Sequence, residues 1–392
     1  MKMLKIFVVS LLILPNIIFG QATNKIITGE KHMIHSEIIG TDKEYWVHLP
    51  VNYDSSTDKY PVMYITDGDE HFALASGLVD FMSSQYVIPE MIVVAIFHKD
   101  RNHDLTPTHS LINLNGFESD GAKVSGGGEK LLRFIEKELI PEIEANYRTG
   151  PYRILAGHSL GGLFSTYAWL NHNQLFNAFI AMDPALPWDN FLCERMLKNS
   201  TYKSPELSNK LYMSSAHNAP YGKKDKSPFR KSQDSFFKTL KEKQIGNTKH
   251  DYFENLNHLN VPYQSLYNGL AYIFAGYYIL DDPQFKLEVS FIKEFYEKKS
   301  GEYGIKFTPP EGLAEMFGKY FLYDLNEYNK AIEFFTYNTQ NYPTSYKAFE
   351  YMAKAYEAAG NKEETIVNYK KALELSPENK DIRNILNELE GQ

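Results

Sequence analysis

Residues 152–162, YRILAGHSLGG, restrict the chain more than any other stretch. Tyr152 to Ala156 form an apolar run of strand length. Gly157-His158-Ser159-Leu160-Gly161 fits G-x-S-x-G, Gly162 follows, and residues 163–170 have a helical pattern. A strand that turns at once into a helix, with a serine at the apex, leaves no room for Cβ atoms on either side; hence the glycines. The first N–H groups of the helix then face the serine without partners in their own helix. The pattern predicts a nucleophilic serine, Ser159, on an α/β scaffold.

The 392 residues suffice for one large domain and a small one, and 43% hydrophobic content supports a substantial core. A net charge of −8 with no basic run gives no reason to expect nucleic-acid binding. Residues 1–20 read as a secretory signal. Lys2 and Lys5 come first, residues 6–19 are almost wholly apolar, and Gly20 precedes Gln21 at a small-residue cleavage point. This predicts an exported protein, periplasmic or extracellular, that does not span the membrane once cleaved. The single Cys193 excludes an internal disulfide.

Apolar runs near 26–27 and 35–39, then an alternating strand at 44–49, open the chain. Strands are expected at 60–66, 91–97, 176–182, 210–215 and 250–253. Helical patterns fall at 71–83, 129–147, where Pro141 should introduce a bend, and 266–280. Strands alternating with helices predict a mostly parallel sheet covered on both faces, with an antiparallel edge from the opening strands. That is an α/β-hydrolase layout over 25–281. Residues 282–322 read as a helical connection. In 323–392 a 34-residue period appears: Pro343 matches Pro377, Phe335 matches Tyr369 and Ile332 matches Ile366. These are tetratricopeptide-like spacings with a capping helix at the end, a module that offers a surface for a protein partner.

A serine hydroxyl needs a base, and the base needs an orienting acid, in chain order nucleophile, acid, histidine. His258 lies in the loop after the last strand and is the predicted base, with His217 as runner-up; His172 and His250 stand in the wrong places. The acid is expected after the strand ending near Ser215, which points to Asp225, with Asp234 as the alternative or a serine–histidine pair without a carboxylate. Two backbone N–H donors should meet the developing oxyanion: Leu160, and Asp69 in the Asp67-Gly68-Asp69 turn. Arg101, in a charged loop after a strand, either grips the substrate or pairs with an aspartate that pins the loop. His98, His103 and His109 match no standard metal spacing, so neither metal nor cofactor is expected.

Taken together, ITDGDEH, RNHDLTP, YRILAGHSLGG and ENLNHLNVPYQSLYNGL resemble the Putative esterase family, nearest to its siderophore-esterase branch. The resemblance spans about residues 30–280. It implies Ser159 as nucleophile, His258 as base, Asp69 and Leu160 as oxyanion donors, and Arg101 at the substrate. The implied substrate is a small-molecule or glycan ester, a siderophore lactone or a polysaccharide-linked acyl group. A silent binding protein on the same fold and an acyltransferase are the rival readings.

Overall fold

A computed structural model describes residues 27–391 except 55, 115, 201–206 and 221–222. The expected signal at 1–20 lies outside the described residues. The strands are β1 (Glu30–Ser36), β2 (Thr41–His48), β3 (Tyr60–Thr66), β4 (Ile92–Ile96), β5 (Thr149–His158), β6 (Ala178–Met182), β7 (Lys210–Ala216) and β8 (Thr248–Phe253). They form one eight-stranded sheet in the order β1-β2-β4-β3-β5-β6-β7-β8. β2 runs antiparallel to β1 and β4; every other neighbouring pair is parallel. This is the α/β-hydrolase fold, with the serine-bearing β5 near the middle of the sheet.

The central strands read as unbroken apolar runs because both sheet faces are covered. Side chains alternate between two cores. Val62, Tyr64 and Leu155 enter one, whereas Met63, Ile65, Ile154 and Ala156 enter the other. Helix α1 (Gly68–Ser84) covers the second face through Phe72, Ala75 and Val79. Helix α2 (Leu160–Asn171) covers the first through Leu163, Phe164 and Trp169. Helix α3 (Pro228–Glu242) adds Phe236 and Leu240 to the first core, and α4 (Val261–Ile273) adds Leu266 and Leu270 to the second.

Two local differences from the sequence reading have simple causes. Ile38 and Ile39 belong to a turn rather than a strand, because Glu138 accepts the Ile38 N–H, Ser36 Oγ accepts the Ile39 N–H, and Gly40 takes φ 79°. The long helix around Pro141 continues from Gly128–Phe134 into Ile140–Asn146 through a π-helical turn at Ile135–Leu139. The wider turn accommodates a proline that has no N–H to donate to the preceding turn.

Beyond the sheet come helices at Val289–Tyr303, Glu311–Lys319, Tyr328–Asn341, Tyr346–Ala358, Lys362–Leu375 and Lys380–Glu390. The core behind α4 runs into them without a break: Phe274, Tyr277, Ile292, Phe295, Phe317 and Phe334 share one cluster with the sheet residues. Contact across the boundary is tight. A Cβ on Gly150, at the start of β5, would stand 2.5 Å from Ile305 Cδ1. The last helices bury a smaller cluster of their own, centred on Tyr369 and Ile382. Among the described residues, no helix is long and apolar enough to cross a membrane.

Candidate active site

Ser159 sits between β5 and α2 with φ 59° and ψ −112°, a strained conformation for a residue with a side chain. The surrounding glycines hold it there. A Cβ on Gly157 would lie 2.3 Å from the Gly161 carbonyl oxygen, one on Gly161 2.2 Å from Thr66 Oγ1, and one on Gly162 2.9 Å from Pro184 Cα. The turn is tied down by the Ser159 N–H donating to the Met182 carbonyl at 3.0 Å.

His258 stands in the loop between β8 and α4. Its Nε2 is 3.0 Å from Ser159 Oγ, and its Nδ1 is 2.6 Å from Asp183 Oδ2. The loop is braced by Asn257 Oδ1, which accepts the N–H groups of Leu259 and Asn260, and by the His217 N–H donating to Leu256. Phe229 stands edge-on to the imidazole at 5.3 Å. The His258 side chain is 31% exposed and that of Asp183 is fully buried, so substrate can reach the histidine but water cannot reach its carboxylate.

Asp183 directly follows β6 and overturns the expectation for the acid. Asp225 does not contact His258. Its carboxylate accepts the backbone N–H groups of Asn218 and Ser227, each at 2.9 Å, and shapes its own loop. Asp234 pairs with Arg230 on α3. Nor is the histidine left without a carboxylate. Asp183 also accepts from Asn218 Nδ2 at 2.9 Å, the Ala216 N–H at 3.0 Å and Gln233 Nε2 at 2.9 Å. Burial alone would raise its pKa; the bonds from His258, Asn218, Ala216 and Gln233 outweigh burial and lower it. The sequence carried a signal for this residue. An apolar strand runs straight into Asp183-Pro184, and a charge at the carboxyl end of a buried parallel strand sits where sites in such sheets form. The order Ser159, Asp183, His258 also keeps the required sequence.

The other histidines have separate partners. His217 Nδ1 is 2.6 Å from the Tyr252 hydroxyl, His172 pairs with Glu129, and His250 meets Ser215 Oγ at 2.6 Å while stacking on Phe237. His98 and His103 both contact the carboxylate of Asp104, and His109 faces the Ser125 carbonyl.

Arg101 makes the aspartate pair that was one of its two expected roles. Its Nε and Nη2 bond both oxygens of Asp67 at 2.7 and 2.9 Å, and Nη2 also donates to the His158 carbonyl at 3.1 Å. The guanidinium therefore clamps the turn after β3 onto the end of β5. Asp67 adopts φ 55° and caps α1, and its carbonyl accepts the N–H groups of Glu70 and His71. Asp69 and Leu160, at the starts of α1 and α2, carry N–H groups that no carbonyl of their own helix can reach. Gly68 is required in this turn because a Cβ would lie 2.5 Å from the Phe97 ring.

An open cleft of about 590 Å³ is lined by His217, Lys223, Lys224, Asp225, Arg230 and Tyr252, and by Glu254 and Asn255 of the loop that carries His258. A second cavity, of about 550 Å³, lies between Tyr60 at the start of β3 and Tyr342 of the C-terminal helices. That places it at the strand ends opposite Ser159.

Comparison with known proteins gives the family and the fold. The Putative esterase family matches residues 36–250, more than half of the chain. The chain belongs to that family. Ferri-bacillibactin esterase BesA of Bacillus subtilis is 33% identical over 143 residues, covering 33% of this chain and 49% of that protein. The apo-salmochelin esterase of Escherichia coli is 26% identical over 151 residues, covering 36% and 46%. The chain thus spans about half the length of these relatives. An IroE-like serine hydrolase from Shewanella oneidensis superposes with a TM-score of 0.62 at 24% identity, over 89% of this chain and all of that one. Its likeness is one of fold, and it extends beyond the sheet domain into the C-terminal helices.

Proposed function

We propose that the protein is an exported serine esterase that hydrolyses a siderophore-type carboxylic ester through an acyl-enzyme. The observation that carries this reading is the hydrogen-bonded chain Ser159 Oγ, His258 and Asp183, at 3.0 and 2.6 Å. Ser159 Oγ attacks the ester carbonyl as His258 Nε2 takes its proton. Asp183 holds Nδ1–H and stabilises the imidazolium. The N–H groups of Leu160 and Asp69 receive the developing oxyanion. His258 returns the proton to the leaving alcohol, and water releases the acyl group by the same steps.

The names of the two curated relatives support a siderophore ester as the substrate class. The cleft near His258 presents Lys223, Lys224 and Arg230 beside Asp225 and Glu254, a mixed lining that offers donors and acceptors to an oxygen-rich ester. Export through residues 1–20, and a tetratricopeptide-like partner surface in the C-terminal helices, belong to the same proposal.

The test pairs an active-site-directed fluorophosphonate with an ester panel of iron-free and ferric catecholate trilactones, aryl acetates and feruloyl sugars. Labelling should depend on Ser159, and the trilactones should give the highest kcat/KM. Equal labelling of wild type and Ser159→Ala would leave a silent binding protein. Ester product formed only with an alcohol acceptor would mean an acyltransferase. A protein recovered from the exported fraction with residues 1–20 intact would refute signal cleavage.

A further inference from the structure

Beside His258 lies a pair of imidazoles that the proposed esterase chemistry does not use. His158, the residue before the nucleophile, packs its ring 4.5 Å from that of His258 on one side. On the other it meets His71 of α1 edge-on, with centroids 5.6 Å apart. His71 and His158 are each 5% exposed, and the Nε2 of both is buried without a hydrogen-bond partner. Buried ring nitrogens are normally paired. Glu70 adjoins them, and one ligand atom from each of Glu70, His71 and His158 lies within 4.8 Å of the others. The glutamate is exposed, so the third side of the group is open to solvent.

We propose that Glu70, His71 and His158 form an inhibitory binding site for a divalent zinc ion. Two imidazoles and a carboxylate are the donor set that zinc takes with a fourth position left to water, while magnesium and calcium prefer oxygen alone. Zinc bonds of about 2.0–2.1 Å place tetrahedral ligands roughly 3.4 Å apart. The ligand atoms lie within 4.8 Å of one another, so closure is short, and the exposed Glu70 side chain has the freedom to swing in. The flanking charges are mixed: Arg101 opposes a cation at both rings, whereas Asp67, Glu70 and Asp69 favour one beside His71. The Arg101 guanidinium is bound by both oxygens of Asp67, and Asp69 adds a further carboxylate to the same turn.

The effect on catalysis rests on the proposed roles of Ser159 and His258. His258 must become positively charged when it accepts the serine proton. A dication held by the neighbouring ring raises the energy of that imidazolium and slows acylation.

The experiment is calorimetric titration of zinc chloride into the full chain in a non-chelating buffer, with wild type, Ser159→Ala, His71→Gln and Glu70→Gln, alongside zinc inhibition of aryl acetate hydrolysis. Wild type and Ser159→Ala should bind one zinc with equal affinity. His71→Gln should weaken binding by about tenfold or more, on the scale seen for lost metal-site support. Glu70→Gln, a change on an exposed side chain that does not threaten folding, should weaken it in the same direction. Zinc inhibition, taken relative to each variant's own metal-free rate, should shift by the same factor as binding. The site is overturned if zinc shows no saturable binding, or if the wild type and both ligand variants bind alike. Because Ser159→Ala reads binding without turnover, loss of the esterase reading and loss of the zinc site give different results.

Discussion

Replacing Asp183 with asparagine should separate the observed triad from the one the sequence suggested. Every partner of the Asp183 carboxylate is a donor: His258 and Asn218 on Oδ2, Ala216 N–H and Gln233 on Oδ1. An amide has one oxygen, so its NH2 must face one of these donor pairs whichever way it turns. Two hydrogen bonds to a charged group are lost, costing about 3–6 kcal/mol of stability. If the NH2 faces His258, the imidazole is driven into the wrong tautomer; if it faces the other pair, the charge that stabilises the imidazolium is still gone. A comparable change in a serine protease lowers kcat by about 10⁴. We expect kcat/KM for an aryl acetate to fall by about 10³–10⁴, or roughly 4–5.5 kcal/mol of transition-state stabilisation. Asp225→Asn disturbs only two backbone contacts and should cost about 1–2 kcal/mol of stability and less than about tenfold in rate. Both variants are assayed well below their unfolding midpoints, with folding checked by circular dichroism. The reasoning fails if Asp183→Asn keeps more than about a tenth of wild-type kcat/KM while Asp225→Asn loses the larger factor.

Gly161→Ala should destabilise the protein by about 1–3 kcal/mol and largely silence it, since the new methyl would stand 2.2 Å from Thr66 Oγ1. Adding Thr66→Ala removes that clash, and urea melts of the double variant should recover part of the loss. Arg101→Lys keeps the charge but cannot reproduce the two bonds to Asp67 together with the one to the His158 carbonyl. Its kcat should fall by about tenfold or more with KM little changed; a rise in KM alone, confined to anionic esters, would restore the substrate-gripping role. Burial pushes the pKa of His158 to about 3 and that of His250 to about 4. As pH falls below the unfolded-state value of about 6.5, the unfolded chain gains protons that the folded one refuses, so stability drops with acid. Near pH 5 each histidine contributes about 2 kcal/mol to that loss. His250→Gln should therefore flatten the urea-melt stability between about pH 8 and pH 5 by a similar amount; an unchanged slope would count against a neutral His250.

The parts of this protein that are legible in its sequence are those whose physics is local. The serine turn is one, because the glycine at 157 faces the backbone of Gly161 and the collision is written into neighbouring residues. The unbroken apolar strands are another, since burial on both faces leaves no alternation to misread. His258 could be placed because it needs only to follow the last strand. The acid could not be placed by the same rule. Its identity depends on which strand end comes within reach of the histidine loop, and the strand beside the serine, β6, reaches it sooner than β7 does. Asp225 carried an acidic side chain at a plausible distance along the chain, but its loop turns back to bind its own backbone. Arg101 shows the same limit from the other side. Its charge and loop position are compatible with substrate or with Asp67, and the choice is made by φ 55° at Asp67, which turns that carboxylate inward beside the elbow. A positive φ at a non-glycine residue has no reliable mark in sequence. The strained residues Asp67, Ser159 and Asp183 all stand at strand ends around one point. Positive φ also occurs elsewhere among the described residues, as at Asp189, Asn190 and Phe191, so it is the meeting of these three strand ends with His258 that defines the site, and a linear reading cannot supply that meeting.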